Sequence, residues 1–206
     1  MVRMPRRRPP RGLTALQIEV GRLFFALPAS EGYLVDGDAA LAAHRLIDRS
    51  TRDLRLLLVD GGTDFATATV GAASVQPALA ALHFEAQDRS WAAQDLPVDP
   101  GQAGATVLIE GMGQRLVATL VTGPPPTYPA TLTVLGPTIA PEELAGRLVA
   151  ALSRRADPDD LVDVLALARR FATDRLFALA AEADPGFDPA VLARSLAPRG
   201  EPGDDR

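Results

Sequence analysis

The 206-residue chain contains no cysteine and no lysine. Without cysteine there is no disulfide framework, no CxxC zinc site and no thiol nucleophile. Without lysine, no side-chain amine can act as a base, form a Schiff base or hold a phosphate as a compact point charge. All 21 basic residues are therefore arginine. His44 and His83 are the only histidines, and two distant histidines with no clustered ligands make no metal site. No run of about 18 uninterrupted apolar residues occurs, so no membrane span is expected. Ser30, Ser50, Ser74 and Ser90 sit in no GxSxG or SxxK context, which leaves hydrolase chemistry without support. Gly61-Gly62 lies in neither GxxxxGK nor GxGxxG and reads as a plain turn.

The remainder of the composition is ordinary for a globular chain, with 47% hydrophobic and 23% charged residues. This length suits one compact domain, or a domain with a helical annex, that buries roughly 70% of its unfolded surface. The absence of cysteine fits a cytoplasmic address. Net charge is −5 but unevenly spread. Arg3, Arg6, Arg7, Arg8 and Arg11 precede the first acid, so the other sixteen arginines face 26 acidic residues, a balance of −10. A body this acidic is a poor generic match to nucleic acid, whereas the Arg/Pro arm can act as an electrostatic tether. The arm followed by Leu13–Leu27 has the outline of a signal peptide, but Gln17, Glu19 and Arg22 interrupt the apolar stretch at helical spacing.

Thr14 and Gln17 form a capping box, and Leu16, Ile18, Val20, Leu23, Phe24 and Leu27 follow at near-helical spacing until Pro28. Tyr33-Leu34-Val35 reads as a strand entering the turn Asp36-Gly37-Asp38, with Asp38 capping a helix from Ala39 to Ile47. Asp53–Val59 is the clearest strand. A helix is expected over about Thr67–Leu82, interrupted near Gly71 and Pro77, with Phe84-Glu85-Ala86 starting another strand. Ala105–Glu110 and Arg115–Val121 flank Gly111-Met112-Gly113, a hairpin signature. Thr131–Leu135 is a further short strand. After Pro141 the pattern is helical: Glu142–Arg154, Asp160–Phe171, Thr173–Ala183 and Pro189–Leu196. The expected organisation is a disordered arm over 1–12, an α/β domain over 13–138, a helical part over 139–196 and a disordered tail over 197–206.

The stretch from Leu34 through Asp36-Gly37-Asp38, Leu41, His44 and Asp53-Leu54-Arg55 resembles the AbiEii/AbiGii-type nucleotidyltransferase family, which includes the MenT-like toxins. That family places a Gly-Gly or Gly-Ser turn after a strand, then an Ala-Leu-x-x-His helix, then a strand bearing Asp-x-Asp. Asp157–Val164, with the following Arg169-Arg170-Phe171, is similar to the family's helical RDFxDv segment. The resemblance implies an α+β, polymerase-beta-type fold: a mixed sheet with flanking helices plus a C-terminal helical part. It also implies transfer of a nucleotide from an NTP to RNA, in MenT-like toxins to the tRNA acceptor end. Two carboxylates two apart on a strand point to one face and suit magnesium, which neutralises the triphosphate and activates the attacking oxygen.

This chain departs from that pattern within one site. Gly37 is kept, but Asp38 replaces the second small residue. Asp53 is kept, but Arg55 replaces the second aspartate; a guanidinium stays protonated and cannot coordinate magnesium. The strand Arg115–Thr122, where the third carboxylate is expected, has no acid. Arg147 is nearest to the position of an expected lysine. Asp160 and Asp163 lie one helical turn apart; with Asp157 and Asp159 they complement a helix dipole, while the resemblance places them along the cleft. His44 reads as a packing residue.

The implied protein is a degenerate nucleotidyltransferase, a pseudoenzyme whose remnant metal ligand is Asp53 and whose nucleotide-facing turn is Gly37 and Asp38. An NTP and tRNA are its implied ligands. One alternative is an active enzyme with a rearranged magnesium site, in which Asp53, Asp36 or Asp38, and Asp160 or Asp163 share the metal. Another is a non-enzymatic regulatory module of a toxin–antitoxin system that pairs with an antitoxin or an active paralogue. If the arginine arm contributes to RNA binding, removing residues 1–11 weakens that binding and flattens its dependence on salt in a filter-binding titration; unchanged affinity contradicts this role.

Overall fold

A computed structural model describes residues 10–59, 68–98, 104–155 and 157–196, with the side chains of 68–73 and of Ser195 left aside. The expected arm lies almost wholly outside the described residues, and the expected tail lies wholly outside them. The chain divides into two compact units, Met1–Leu144 and Ala145–Arg206.

The first unit is built on seven strands: β1 (Tyr33–Asp36), β2 (Asp53–Val59), β3 (Ala92–Leu96), β4 (Gly104–Gly111), β5 (Gln114–Gly123), β6 (Thr131–Thr133) and β7 (Gly136–Thr138). They form one sheet in the order β3-β4-β5-β2-β1-β7-β6. β2 runs parallel to β5 and β1 parallel to β7, and the other neighbours are antiparallel. The α+β class expected from the sequence holds.

Alternation along the central strands gives the sheet two unlike faces. Leu54 and Leu56 on β2, Leu116, Ala118 and Leu120 on β5, and Val107 and Ile109 on β4 are all buried. Against the sheet lie α1 (Ala15–Phe24) and α3 (Ala68–Asp88). The other face carries Asp53, Arg55, Val117, Thr119, Thr106 and Leu108, exposed or half-buried. This period-two division is what a one-sided core requires of a strand.

α1 opens with the expected capping box: Thr14 accepts from the Gln17 amide at 3.1 Å, and Gln17 accepts from the Thr14 amide at 2.7 Å. The helix ends at Phe24, before Pro28, which starts a short 3₁₀ turn over Pro28–Ser30. The second helix, α2 (Gly37–Ala43), differs from expectation at both ends. Asp36, not Asp38, occupies its N-cap position, and Arg45 turns left-handed at φ 60° and stops it. Leu46 and Ile47, expected to be helical, are buried beyond the stop.

α3 runs straight through Pro77 and includes Phe84-Glu85-Ala86, which the sequence suggested as a strand. Proline forfeits one helical hydrogen bond at about 3 kcal/mol. Burial of Val75, Ala78, Leu79, Leu82 and Ala86 outweighs that cost. β3 was not anticipated, because Ala92-Ala-Gln-Asp-Leu96 lacks the β-branched and aromatic residues that mark a strand. The stretch expected as one strand over Thr131–Leu135 is instead the hairpin β6–β7.

The β4–β5 hairpin turns on Met112 and Gly113, at φ 54° and 70°. Two positive φ values in a two-residue loop match the twist of the flanking strands. Across the sheet, Glu143 near the start of α4 (Pro141–Arg155) is buried and accepts from the amides of Thr127 at 2.9 Å and Tyr128 at 3.4 Å, which ties down the proline-rich loop.

The second unit holds the remainder of α4 with α5 (Pro158–Leu167), α6 (Thr173–Ala183) and α7 (Pro189–Leu196). α5 is capped by Asp157, which accepts from the Asp159 amide at 2.9 Å, and so begins two residues before the expected Asp160. Gly146 lets α4 approach α6 closely, since a Cβ there would lie 2.3 Å from the Leu179 carbonyl oxygen.

Gly136 is at φ 122°, and a Cβ there would lie 2.3 Å from the Phe25 ring. Gly136→Ala is expected to cost about 3 kcal/mol, from left-handed strain plus overpacking. Gly113→Ala, at φ 70° with nothing within 4 Å, should cost only about 1 kcal/mol. Denaturant unfolding of both variants checks this, and equal losses contradict the assignment.

Candidate functional site

The antiparallel register of β1 and β2 places Asp36 directly opposite Arg55. Asp36 is 8% exposed, and the Arg55 Nε lies 3.4 Å from its Oδ2. Asp36 makes no side-chain hydrogen bond as N-cap of α2. Its carboxylate is turned to the arginine instead. Gly37 follows at φ 69°, where a Cβ would meet the Arg55 side chain at 3.7 Å. Space is sufficient there, so the left-handed backbone is what calls for glycine.

Asp38, one residue on, forms an ion pair with Arg49 at 2.7 Å. That pairing answers the problem of an acid on a phosphate-facing turn, because its charge is compensated within the chain. Asp53 starts β2 and is exposed. Its Oδ1 accepts from the Thr51 hydroxyl at 2.6 Å, and its backbone carbonyl accepts from Gln17 Nε2 at 2.8 Å. Gln17 is fully buried, so the capping box of α1 also fixes the start of β2.

Asp53 and Arg55, two apart on β2, share the open face of the sheet. On β5 their register partners are Val117 and Thr119. The acid-free strand of the sequence is therefore the direct neighbour of Asp53 and Arg55. Two of the three aspartates at this end of the sheet are paired with arginines, Asp36 with Arg55 and Asp38 with Arg49. Magnesium takes hard oxygen donors in a near-octahedral shell. A buried carboxylate paired to an arginine and one exposed carboxylate bound to a threonine do not fit that ion. Among the described residues no group of three His, Asp or Glu side chains could hold a metal.

The other sequence candidates lie in the second unit. Asp160 on α5 pairs with Arg155 at 2.7 Å. Asp163, one turn later, is 2% exposed and has a partner of its own. Arg147 on α4 is likewise partnered. The strand-end cluster described above consists of Asp36, Gly37, Asp38, Asp53 and Arg55. Sequence reading did not single out Thr119 or Thr106, which lie beside Arg55 in register on β5 and β4. Only the parallel β2–β5 pairing reveals them, and no local pattern encodes which strand neighbours which.

Strand β1, the Gly37 turn, helix α2 and strand β2 follow one another in the chain, on a mixed sheet with flanking helices. Among solved structures the chain is similar to JHP933 from Helicobacter pylori, with a TM-score of 0.52 at 13% identity over 89% of this chain and 79% of that one. It is also similar to an H. pylori protein provisionally assigned as a nucleotidyltransferase, with a TM-score of 0.40 at 11% identity over 89% of this chain and 97% of that one. At this identity the likeness to JHP933 concerns the fold alone. No family model and no curated protein matches the chain.

His44 is the C-cap of α2, and its Nε2 lies 2.9 Å from the Ile139 carbonyl oxygen and 3.3 Å from Thr131 Oγ1. It links α2 to the β6–β7 edge, in keeping with the packing role read from the sequence. Burial holds its pKa below the ordinary value, against the opposing pulls of the Ile139 hydrogen bond and Glu142. The folded protein thus favours neutral His44, and the unfolded chain takes up the proton first. This contribution to stability is complete above about pH 6.5 and is lost as pH falls through the depressed folded value. Thermal melts between about pH 7 and pH 5 should show a decline in Tm that is smaller in His44→Gln; the same decline in both proteins contradicts the assignment.

Proposed function

We propose that the chain is a degenerate AbiEii/AbiGii-type, MenT-like nucleotidyltransferase that has lost metal-dependent transfer and keeps a nucleotide-facing sheet end. The observation that carries this reading is the Arg55–Asp36 pair. Nucleotidyl transfer needs a divalent ion held by carboxylates on one face, to neutralise the triphosphate and activate the attacking oxygen. In this chain the position of the second strand aspartate bears a permanent cation, and that cation is paired with the nearest carboxylate. The neighbouring strand adds Val117 and Thr119 in place of an acid.

The changes act together. Arg55 removes one ligand and engages another, and Asp38 is matched by Arg49. Among the described residues, Asp53 is left as the one aspartate of the three without an arginine partner in an ion pair. A single carboxylate binds magnesium weakly, since that ion keeps several waters and relies on one or two carboxylates plus the substrate phosphates. The ligands supported by the resemblance are an NTP and an RNA such as tRNA, in a role of binding or regulation that includes pairing with an antitoxin or an active paralogue.

The direct test incubates the full chain with magnesium, labelled NTPs and tRNA. No labelled tRNA is expected, and Asp53→Ala should leave that blank result unchanged. Transfer by the wild type that disappears in Asp53→Ala would establish an active enzyme with a rearranged metal site and overturn the proposal.

A further inference from the structure

From Leu161 to Leu167, helix α5 carries one polar residue, Asp163. A helix that is apolar on nearly every side is normally covered all round. Here the usual arrangement is inverted. Asp163 is 2% exposed and has a partner, while Val162 and Leu165 are 61% and 60% exposed. The next helix follows the ordinary rule: on α6, Leu176, Leu179 and Ala180 are buried, and Asp174, Arg175 and Glu182 are exposed. The outward side of α5 thus presents apolar surface that a docked partner would remove from water.

Charge decides which partner fits. Val162 and Leu165 are three apart and share one face, with Asp159 one turn before them and Arg169 just past the helix end. Asp159 and Arg169 are both exposed. The Asp159 amide donates to Asp157 Oδ1. Among the described residues, neither its carboxylate nor the Arg169 guanidinium is in an ion pair. The apolar stripe therefore has an uncompensated anion at one end and an uncompensated cation at the other. Two copies laid parallel would set Asp159 against Asp159 and Arg169 against Arg169. Laid antiparallel about a two-fold axis near Asp163 and Val164, each Val162 meets the Leu165 of the other copy. Each Asp159 then faces the Arg169 of the other copy, and the opposed helix dipoles favour the same direction. An isologous contact requires this self-complementarity, residue i against j and j against i.

We infer that the outward face of α5 is a self-association surface, on which a second copy of this chain docks its own α5 in the antiparallel sense. With ten residues, α5 is about 15 Å long. That is short for the centre of a standard interface, so a dimer with a Kd on the order of 10 µM is expected rather than an obligate one. The pairing does not depend on how the strand-end site around Asp53 and Arg55 is read.

The test is sedimentation equilibrium of the full-length chain at low salt, over concentrations from about 1 to 300 µM. Wild type should pass from monomer to dimer within that range. Val162→Glu, at an exposed position that the monomer tolerates, should stay monomeric, and Leu165→Glu should do the same. Thermal melts check that each variant is folded. Asp159→Arg and Arg169→Asp, each alone, place like charges at both ends of the contact and should weaken the dimer by roughly tenfold. The double variant Asp159→Arg/Arg169→Asp restores opposite charges and should recover most of that loss. A wild type that stays monomeric throughout overturns the inference, even if some other protein covers the stripe. A dimer that survives Val162→Glu and Leu165→Glu overturns it too. So does a double variant no better than the single ones, since the two residues then do not meet across the two-fold axis.

Discussion

Opposite charges at one register position, Asp36 on β1 and Arg55 on β2, govern the candidate site. Had the β2 residue been a second aspartate, two carboxylates would face each other across adjacent strands, with Asp53 on the same face. Like charges about 4 Å apart repel by roughly 1–4 kcal/mol between bulk water and a protein surface. Such a cluster is stable only with a bound cation or an added proton. Arg55 removes that requirement from within the chain. The pair is half-exposed on the arginine side, so its value to stability is small; its importance is electrostatic and local.

The surrounding structure keeps this end of the sheet in place. Gln17 is fully buried, completes the α1 capping box and donates to the Asp53 carbonyl. Gln114, at the start of β5, accepts from the Leu16 amide at 2.9 Å. One helix terminus thus holds the beginnings of two adjacent parallel strands. On the far side of β1, His44 ties α2 to the Ile139 carbonyl. Tyr33 at the start of β1 packs edge-on against Phe24 with ring centroids 5.1 Å apart, and burial pushes its phenol up to about 12. It therefore stays neutral and acts as a packing group.

Much of this was legible in the sequence because it is local. The Thr14/Gln17 capping box, the limits of β2, the Met112-Gly113 hairpin and the helices after Pro141 each follow from a few neighbouring residues. The misreadings have a common cause. Pro77 and Gly71 looked like helix breaks because propensity was weighed without the sheet that buries Val75, Leu79 and Leu82. Ala92–Leu96 has no intrinsic strand preference and is a strand because it pairs with β4. Asp38 looked like a cap because Arg49, its partner, lies beyond the helix. At the site, Asp53, Arg55, Gly37 and Asp38 could be named from their motif. The Asp36–Arg55 pairing and the Thr119–Thr106 row could not, because they depend on which strands become neighbours.

In the proposed reading, a drifted motif has two separable consequences, loss of metal ligands and gain of a charge-matching arginine. The first bears on chemistry and the second on what the cleft can still hold. In that reading both follow from an arginine, Arg55, standing where the resemblance places an aspartate on β2. The most direct measurement is manganese binding followed by electron paramagnetic resonance, comparing the full wild-type chain with Asp53→Ala and with Arg55→Asp. The account predicts the same weak, nonspecific uptake in wild type and Asp53→Ala, and a new tight site in Arg55→Asp. A tight site in the wild type that vanishes with Asp53 would contradict it.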